Sequence, residues 1–514
     1  MKQGDDIAVT PSAWIGFLAL CFGMFMAILD IQIVASSLPD IQTALYIPKD
    51  KLSWIQTAYL IAEVIAIPLT GWLTRLLSLR GLFMAAASGF TLASLGCALS
   101  NHLGLLLFFR AVQGFCGGAL IPMVFTAVFT LFPQRWHILA TTIGGVSAVL
   151  APTIGPVLGG YITENYSWHW LFLVNIAPGI LVVIIAAWAL RRDKPNWGLW
   201  ARLDYLALLL AALCLSSLEL VLKEGPKNNW SGLFIIILLI ICPLTGTMAI
   251  RRCLSHPEPI IDLHCFADRY FSLGCFYSFV LGIGLYSSVY LLPLYLAFVR
   301  MHTPFEIGKV MIVMGVAQLA VSPFAAIAEK RLNPLLLTGI GYALFAAGLI
   351  SNGFATYKTD FDGLFWPQIL RGSAMLLCLL PTTRLALEGQ SEILMPNASG
   401  LFNLMRTLGG AIGIALVDTI LEQRGPVHGA ELTARLMAGD PNAARIVGLP
   451  LARFHNVPLG PIDQATKDLV NPLVERAALT LSFNEAWLII GMLFILTLTL
   501  LPLMRRPLTG ATPS

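Results

Sequence analysis

Asp30, with Gln32 two residues on, lies inside an apolar run long enough to cross a bilayer. A carboxylate in hydrocarbon costs roughly 2.5–3.5 kcal/mol on insertion scales unless it is neutralised, so acids in such places are rare and tend to do chemistry. Moving a proton is the chemistry a lone carboxylate offers there, and a structural ion pair with a neighbouring helix is the alternative. Arg110 sits in a later run about seven residues from the same membrane face, and Asp30 about eight. A guanidinium keeps its charge at any ordinary pH and needs a partner or a wet cavity. Arg110, Gln113, Gly114 and Gly117 follow i, i+3, i+4, i+7 spacing and share one helix face. That face offers polar groups toward Asp30 and glycines toward a closely approaching neighbour. Glu63 lies near the middle of another run and is the second candidate proton carrier. Arg371 and Arg406 are also deep in apolar runs, and with Gln32, Gln113 and Glu219 they are candidate substrate contacts. Glu219 and Asp418 fall near run ends, where reaching the water interface is the simpler expectation.

Other chemistries lack their residues. No GxxxxGK[ST] loop is present to cradle a nucleotide, so an ion gradient is the remaining energy source. The histidines form no HExxH or other metal spacing, and His169, between Trp168 and Trp170, reads as part of an interfacial aromatic anchor. The 9 Cys stand singly, mostly in apolar runs, with no CxxC pair. A lipid-modifying enzyme would want clustered carboxylates or a His/Asp set in an interfacial loop, and none appears. No metal, cofactor, enzyme activity or nucleic-acid partner is expected.

The elements that must position these groups follow from composition. Of 514 residues, 57% are apolar and only 12% charged, with a mean hydropathy of +0.78. A soluble domain carries about 25% charged residues. A soluble enzyme, a disordered chain and a disulfide-stapled secreted domain are excluded, which leaves a polytopic membrane protein. The 44 Gly and 30 Pro fit transmembrane helices, and a net charge of +4 is too small to point to nucleic acid. Apolar runs near 14–38, 52–74, 82–100, 103–131, 138–162, 171–190, 203–222, 230–250, 271–298, 306–328, 334–354, 363–386, 396–421 and 484–504 predict about fourteen helical spans. Ten-residue alternation is absent, so a β-barrel is not expected.

Lys and Arg are about twice as frequent in one set of short loops, which holds Lys2, Arg75, Arg80, Arg191, Arg192, Arg505 and Arg506 among others, as in the set holding Lys49, Lys51, Lys223 and Arg300. The positive-inside rule then puts both termini in the cytoplasm. Residues 422–483 form one long outer loop, with short helices expected over Ala430–Met437 and Gln464–Arg476. It is either a docking surface or a solvated loop. Arg424, Arg435, Arg445, Arg453, Lys467 and Arg476 balance Glu422, Glu431, Asp440, Asp463, Asp468 and Glu475, so a contact there would use shape and apolar residues such as Leu449, Leu451 and Phe454.

A weak internal repeat relates Arg110 and Pro122 to Arg371 and Pro381. It fits two six-helix halves, 1–195 and 256–514, around two inserted helices in 196–255. Leu29-Asp30-Ile31-Gln32 with Ser37-Leu38-Pro39-Asp40, Arg110 with Gln113-Gly114 and Gly117-Gly118, and Pro152, Gly155, Pro156, Gly159 and Gly160 before Trp168-His169-Trp170 and Asn175 carry a more specific signal. Together they resemble the major facilitator superfamily, and within it the 14-helix drug:proton antiporters. The Pro152–Gly160 stretch is similar to that superfamily's antiporter motif. The resemblance covers essentially the whole chain. It implies an all-α integral membrane protein in the inner membrane that exports small amphipathic substrates against protons. It is nearest to exporters that work with a periplasmic adaptor and an outer-membrane channel. Export of one dedicated metabolite, such as a fatty acid or siderophore, is the alternative under the same mechanism. One departure stands out: the loop usually written Gly-x-x-x-Asp-x-x-Gly-Arg is here Gly71 to Arg80, with Arg75 at the Asp position and Ser78 at the second Gly. A gate made by that Asp cannot be carried over.

Overall fold

The computed structural model describes residues 10–48, 51–52, 54–256, 259–454 and 464–504. Lys2, Lys49, Asp463, Arg505 and Arg506, and the side chains of Pro39, Asp40 and Arg453, lie outside the described residues.

Sixteen α-helices follow in order among the described residues. They are α1 (Pro11–Ser36), α2 (Leu38–Leu45), α3 (Trp54–Ala98), α4 (Leu103–Leu131), α5 (Gln134–Asn165), α6 (Trp170–Leu173), α7 (Ile176–Ala189) and α8 (Tyr205–Glu224). Then come α9 (Leu233–Ser255), α10 (Arg269–Phe298), α11 (Pro304–Arg331), α12 (Pro334–Asn352), α13 (Phe361–Leu387), α14 (Met395–Met437), α15 (Pro441–Val447) and α16 (Gln464–Leu498). Among the described residues, thirteen helical stretches are long and apolar enough to cross a membrane. One of them, α3, is 45 residues long. At 1.5 Å per residue that is about twice a bilayer core. It breaks at Ser78, with φ 68° and ψ 162°, into the two expected spans, so fourteen crossings result.

Ser78 stands where the motif usually has glycine, and its positive φ is the conformation glycine adopts without strain. Its Oγ accepts from the Gly81 amide at 3.2 Å, restarting the helix. Arg75 and Arg80, which meet no acid in this loop, donate to the carbonyls of Pro259 and Ala187 at 3.2 and 2.5 Å. The loop between the two spans is therefore tied to backbone on neighbouring segments.

Residues 422–483, expected as an outer loop, differ from that expectation. They are no run of isolated short helices: α14 continues unbroken to Met437, and α16 begins at Gln464, well before its apolar stretch. The overshoot of α14 past Ile420 is 17 residues, about 25 Å. Leu432, Leu436, Ala443, Ala444, Val447, Phe454, Val474, Ala477 and Ala478 make a small core between these extensions and α15. Phe454, expected as a contact residue, is 8% exposed and belongs to this core, while Leu449 packs against it. Leu451 is exposed, and Leu469 more so.

Candidate functional site

Asp30, on α1, is fully buried. Its Oδ2 lies 2.5 Å from Nη1 of Arg110 on α4. Its Oδ1 accepts from Gln113 Nε2 at 2.9 Å and from Asn175 Nδ2, just before α7, at 2.7 Å. Gln113 is held in turn: its Nε2 donates to Ser94 Oγ at 2.8 Å and its Oε1 accepts from Arg110 Nη1 at 2.8 Å. Arg110 Nε donates to the carbonyl of Ile55 at 3.2 Å. The guanidinium also lies over the Tyr59 ring, 4.5 Å from its centroid. Thus α1, both limbs of α3, α4 and the start of α7 converge on one carboxylate.

The glycines of the Arg110 face do what their spacing implied. A Cβ on Gly114 would overlap the backbone of Tyr59, and one on Gly117 would overlap its hydroxyl. Gly118 stands 2.6 Å from the carbonyl oxygen of Glu63 by the same measure. Close approach of α3 to α4 delivers Tyr59 and Ile55 to Arg110. A buried pair with every carboxylate oxygen hydrogen-bonded holds its charges at tolerable cost. Asn175 and Ser94 were not assigned to this site from sequence. Neither shares a helix face or a periodic spacing with Asp30, so only the chain's return in three dimensions reveals them.

Glu63 is 4% exposed on α3, and Glu219 is 7% exposed on α8. The expectation that Glu219 reaches the water interface is corrected: it is buried. Packing of α8 against α3 turns this face of the inserted helix inward. Lys223 lies one turn further along α8, and Asp418 is on α14. Asp418 is half-buried and accepts from Tyr290 Oη at 2.7 Å.

The Pro152–Gly160 stretch lies on α5, which runs as one helix through both prolines. Gly155 abuts Gln32 of α1, and Ser37 Oγ donates to the Gly159 carbonyl at 3.4 Å. Pro152, Pro156 and Gly160 are buried. The opposite side of α5 meets α11: Gly308 abuts Val157, and a Cβ on Gly315 would lie 2.9 Å from Thr153 Cγ2. One helix thus packs backbone-close on two sides, against α1 and α11.

Arg406, 7% exposed on α14, hydrogen-bonds Asn403 and lies 5.2 Å from the ring centroid of Phe125 on α4. Arg371, on α13, has no exposed surface and donates to Gln368 Oε1 at 2.8 Å. Gln113 is also fully enclosed, whereas Gln32 is half-buried. A second charged cluster was missed from sequence. Glu329, at the end of α11, is 3.7 Å from Arg384 of α13, which pairs with Glu388 at 2.7 Å. Gln134 of α5 donates to Glu388 at 2.6 Å. The acid in Ala328-Glu329-Lys330-Arg331 was the available signal.

A sequence profile described as Major Facilitator Superfamily matches residues 20–414. The chain is 35% identical over 496 residues to the colistin resistance protein EmrB of Acinetobacter baumannii, covering 96% of this chain and 97% of that one. It is 29% identical over 484 residues to the multidrug export protein EmrB of Escherichia coli, covering 93% of each. Among solved structures, the human organic anion transporter MFSD10 superposes with a TM-score of 0.59 at 13% identity, over 94% of this chain and 100% of that one, a likeness of fold.

Proposed function

The chain belongs to the Major Facilitator Superfamily, and from that membership we propose that it exports amphipathic organic compounds across the inner membrane in exchange for protons. The observation that carries the proton half of this reading is the convergence of Arg110, Gln113 and Asn175 on the buried Asp30 carboxylate. Such a carboxylate can be ionised or protonated, and its contacts differ between the two. Ionised, it holds α1, α4 and α7 together through charge-assisted bonds. Protonated, it releases the guanidinium, which must then find another acceptor. A proton arriving at Asp30 therefore loosens the helices that surround it, which is the differential interaction a transport cycle needs.

The relatives named multidrug export and colistin resistance proteins support an amphipathic substrate. Gln32, half-buried on α1, and Arg406, buried on α14 beside Phe125, are the groups we assign to it. Glu63 and Glu219 form a second carboxylate pair for protons or cationic substrate groups. Residues 1–195 and 256–514 act as the two rocking halves, with α5 sliding on α11, and both termini are cytoplasmic. The α14–α16 extensions, with their own small core, serve as the docking surface for a periplasmic adaptor that leads to an outer-membrane channel.

The test is efflux of a dye panel from vesicles with an imposed pH gradient. Asp30→Asn abolishes gradient-driven transport while substrate binding persists. Wild-type rates in that variant overturn the role of Asp30, and uncoupling by Glu63→Gln alone moves the role to Glu63. A panel that reduces to one class, such as fatty acids, replaces multidrug export with a dedicated exporter.

A further inference from the structure

Where α5 begins and α11 and α13 end, the bundle holds a space of about 40 Å³. His137 of α5, Glu329 of α11, Arg384 of α13 and Glu388 just after it all line that one space. One water occupies about 10–15 Å³ of such a space, so water fits there. The packing of α5 on α11 sets the level of the two groups that matter. The helices cross where Gln318 Nε2 donates to the Gly145 carbonyl at 3.5 Å. From that crossing His137 lies about 12 Å along α5, and Glu329 about 16 Å along α11. Helical side chains lean toward their own N-terminus. Glu329 therefore leans back toward the crossing and His137 leans away from it, which brings carboxyl and imidazole to one depth.

Their polar atoms are unmatched. Glu329 is 2% exposed, and both its carboxyl oxygens are buried without a hydrogen-bond partner. Arg384 Nη1 is 3.7 Å from Oε1, too far for a hydrogen bond, and its Nε is committed to Glu388 at 2.7 Å. His137 Nε2 lies 2.9 Å from the carbonyl oxygen of Phe132. A carbonyl only accepts, so Nε2 carries a hydrogen, and the neutral ring turns Nδ1 outward as a bare acceptor. That Nδ1 is also buried and unpartnered. No other charge intrudes. The remaining charged groups at these helix ends, Arg135, Lys330 and Arg331, are exposed. The only charges of α1 and α4 are Asp30 and Arg110, α12 has none, and Arg269 of α10 donates to the Leu503 carbonyl.

An ionised Glu329 and a neutral His137 both only accept. One proton between them satisfies both, as carboxyl with imidazole or as carboxylate with imidazolium, while two protons leave two donors. We propose that Glu329 and His137 form a second proton-binding site, separate from Asp30, which holds one proton across this space and so ties the end of α11 to the start of α5. Loss of that proton leaves a buried carboxylate without a donor, and the two helix ends separate. A second proton also breaks the bond. The contact is therefore strongest at intermediate pH and weakens on both sides.

The test uses the purified full-length protein in detergent, with spin labels on noncanonical residues at Leu139 of α5 and Lys330 of α11. Both positions are exposed and neither lines the space. The distance distribution between the labels is measured across pH. The ratio of short to long separations is expected to peak at intermediate pH and to fall roughly tenfold on either side, the order expected for a hydrogen bond to a charged group. Glu329→Gln and His137→Gln each put an amide, with a donor and an acceptor of its own, in place of one partner. In either variant the short separation persists at every pH. Asp30→Asn keeps the wild-type profile. A wild-type distribution indifferent to pH overturns the proposal, as does a profile unchanged in a folded Glu329→Gln or His137→Gln protein. Loss of the pH response in Asp30→Asn also overturns it and assigns the response to Asp30.

Discussion

Gly155 of α5 lies so close to Gln32 of α1 that a Cβ at 155 would overlap the Gln32 Cβ. Gln32 is two residues from Asp30, so α5 presses on the turn that carries the candidate proton carrier. Gly155→Ala is expected to cost about 1–3 kcal/mol through overpacking, and Gly155→Val more. Transport falls with stability because the α1 turn is displaced. Gly104, where an added Cβ meets nothing closer than 3.5 Å, is the control, and Gly104→Ala leaves the thermal midpoint unchanged. A Gly155→Ala variant with wild-type melting and transport would show that the contact gives way freely.

The Asp30–Arg110 pair predicts a specific pattern of rescue. Arg110→Gln leaves Asp30 buried without its cation, and breaking a buried pair from one side costs about 3–5 kcal/mol. Asp30→Asn in the Arg110→Gln background removes the orphaned charge. The double variant is therefore expected to melt above the Arg110→Gln single variant while remaining inactive in transport. Arg110→Lys keeps the charge but loses the fork that reaches Asp30, Gln113 and Ile55 together, and is expected to fold with much reduced transport. Strictly additive melting effects in the double variant would mean that the two groups are not coupled.

The helical architecture and this pair were legible in the sequence for physical reasons. A bilayer demands long apolar runs, and a charge inside one must be matched at its own depth, so Asp30 and Arg110 could be paired by counting residues. Asn175 and Ser94 could not, because a hydrogen bond from a separate helix leaves no periodic trace. Glu219 was misjudged because counting gives depth along a helix but not the direction its face turns. The α8 face turns toward α3, which buries an acid that depth alone would leave at the interface. The outer segment was read as a loop because its prolines and charges resemble one, although a proline within a long helix, such as Pro426 in α14, need not end it.

Ser78 provides a prediction from backbone strain. Its φ of 68° and ψ of 162° fall where non-glycine residues pay about 1–3 kcal/mol. Ser78→Gly relieves that strain but gives up the bond to the Gly81 amide, so the net gain is about 1 kcal/mol. Ser78→Val loses the bond and adds a branched side chain at positive φ, and is expected to lower the thermal midpoint by several degrees. Equal midpoints for the Gly and Val variants would remove the argument.

The outer segment yields a prediction that separates docking from folding. Its base is clamped by Glu485, which pairs with Arg424 at 2.8 Å and lies 3.0 Å from His428. Above that clamp, Leu432 and Leu436 pack on Val474 and Ala478 in the small core. Replacing residues 430–479 with a linker of about ten residues removes this core whole and spares the clamp, so neither half of a packed interface is left exposed. Vesicle transport is expected to persist, because the helices that hold Asp30 and Arg110 are untouched, while whole-cell resistance is lost. Leu469→Asp and Leu451→Asp place charges on two exposed apolar positions without entering the core, and are expected to reduce resistance in the same way. Because charges along the segment balance, that loss should depend only weakly on salt. Retention of both activities in the excised protein would make the segment a solvated ornament, and loss of both would make it a folding element. Only the split outcome supports a docked adaptor.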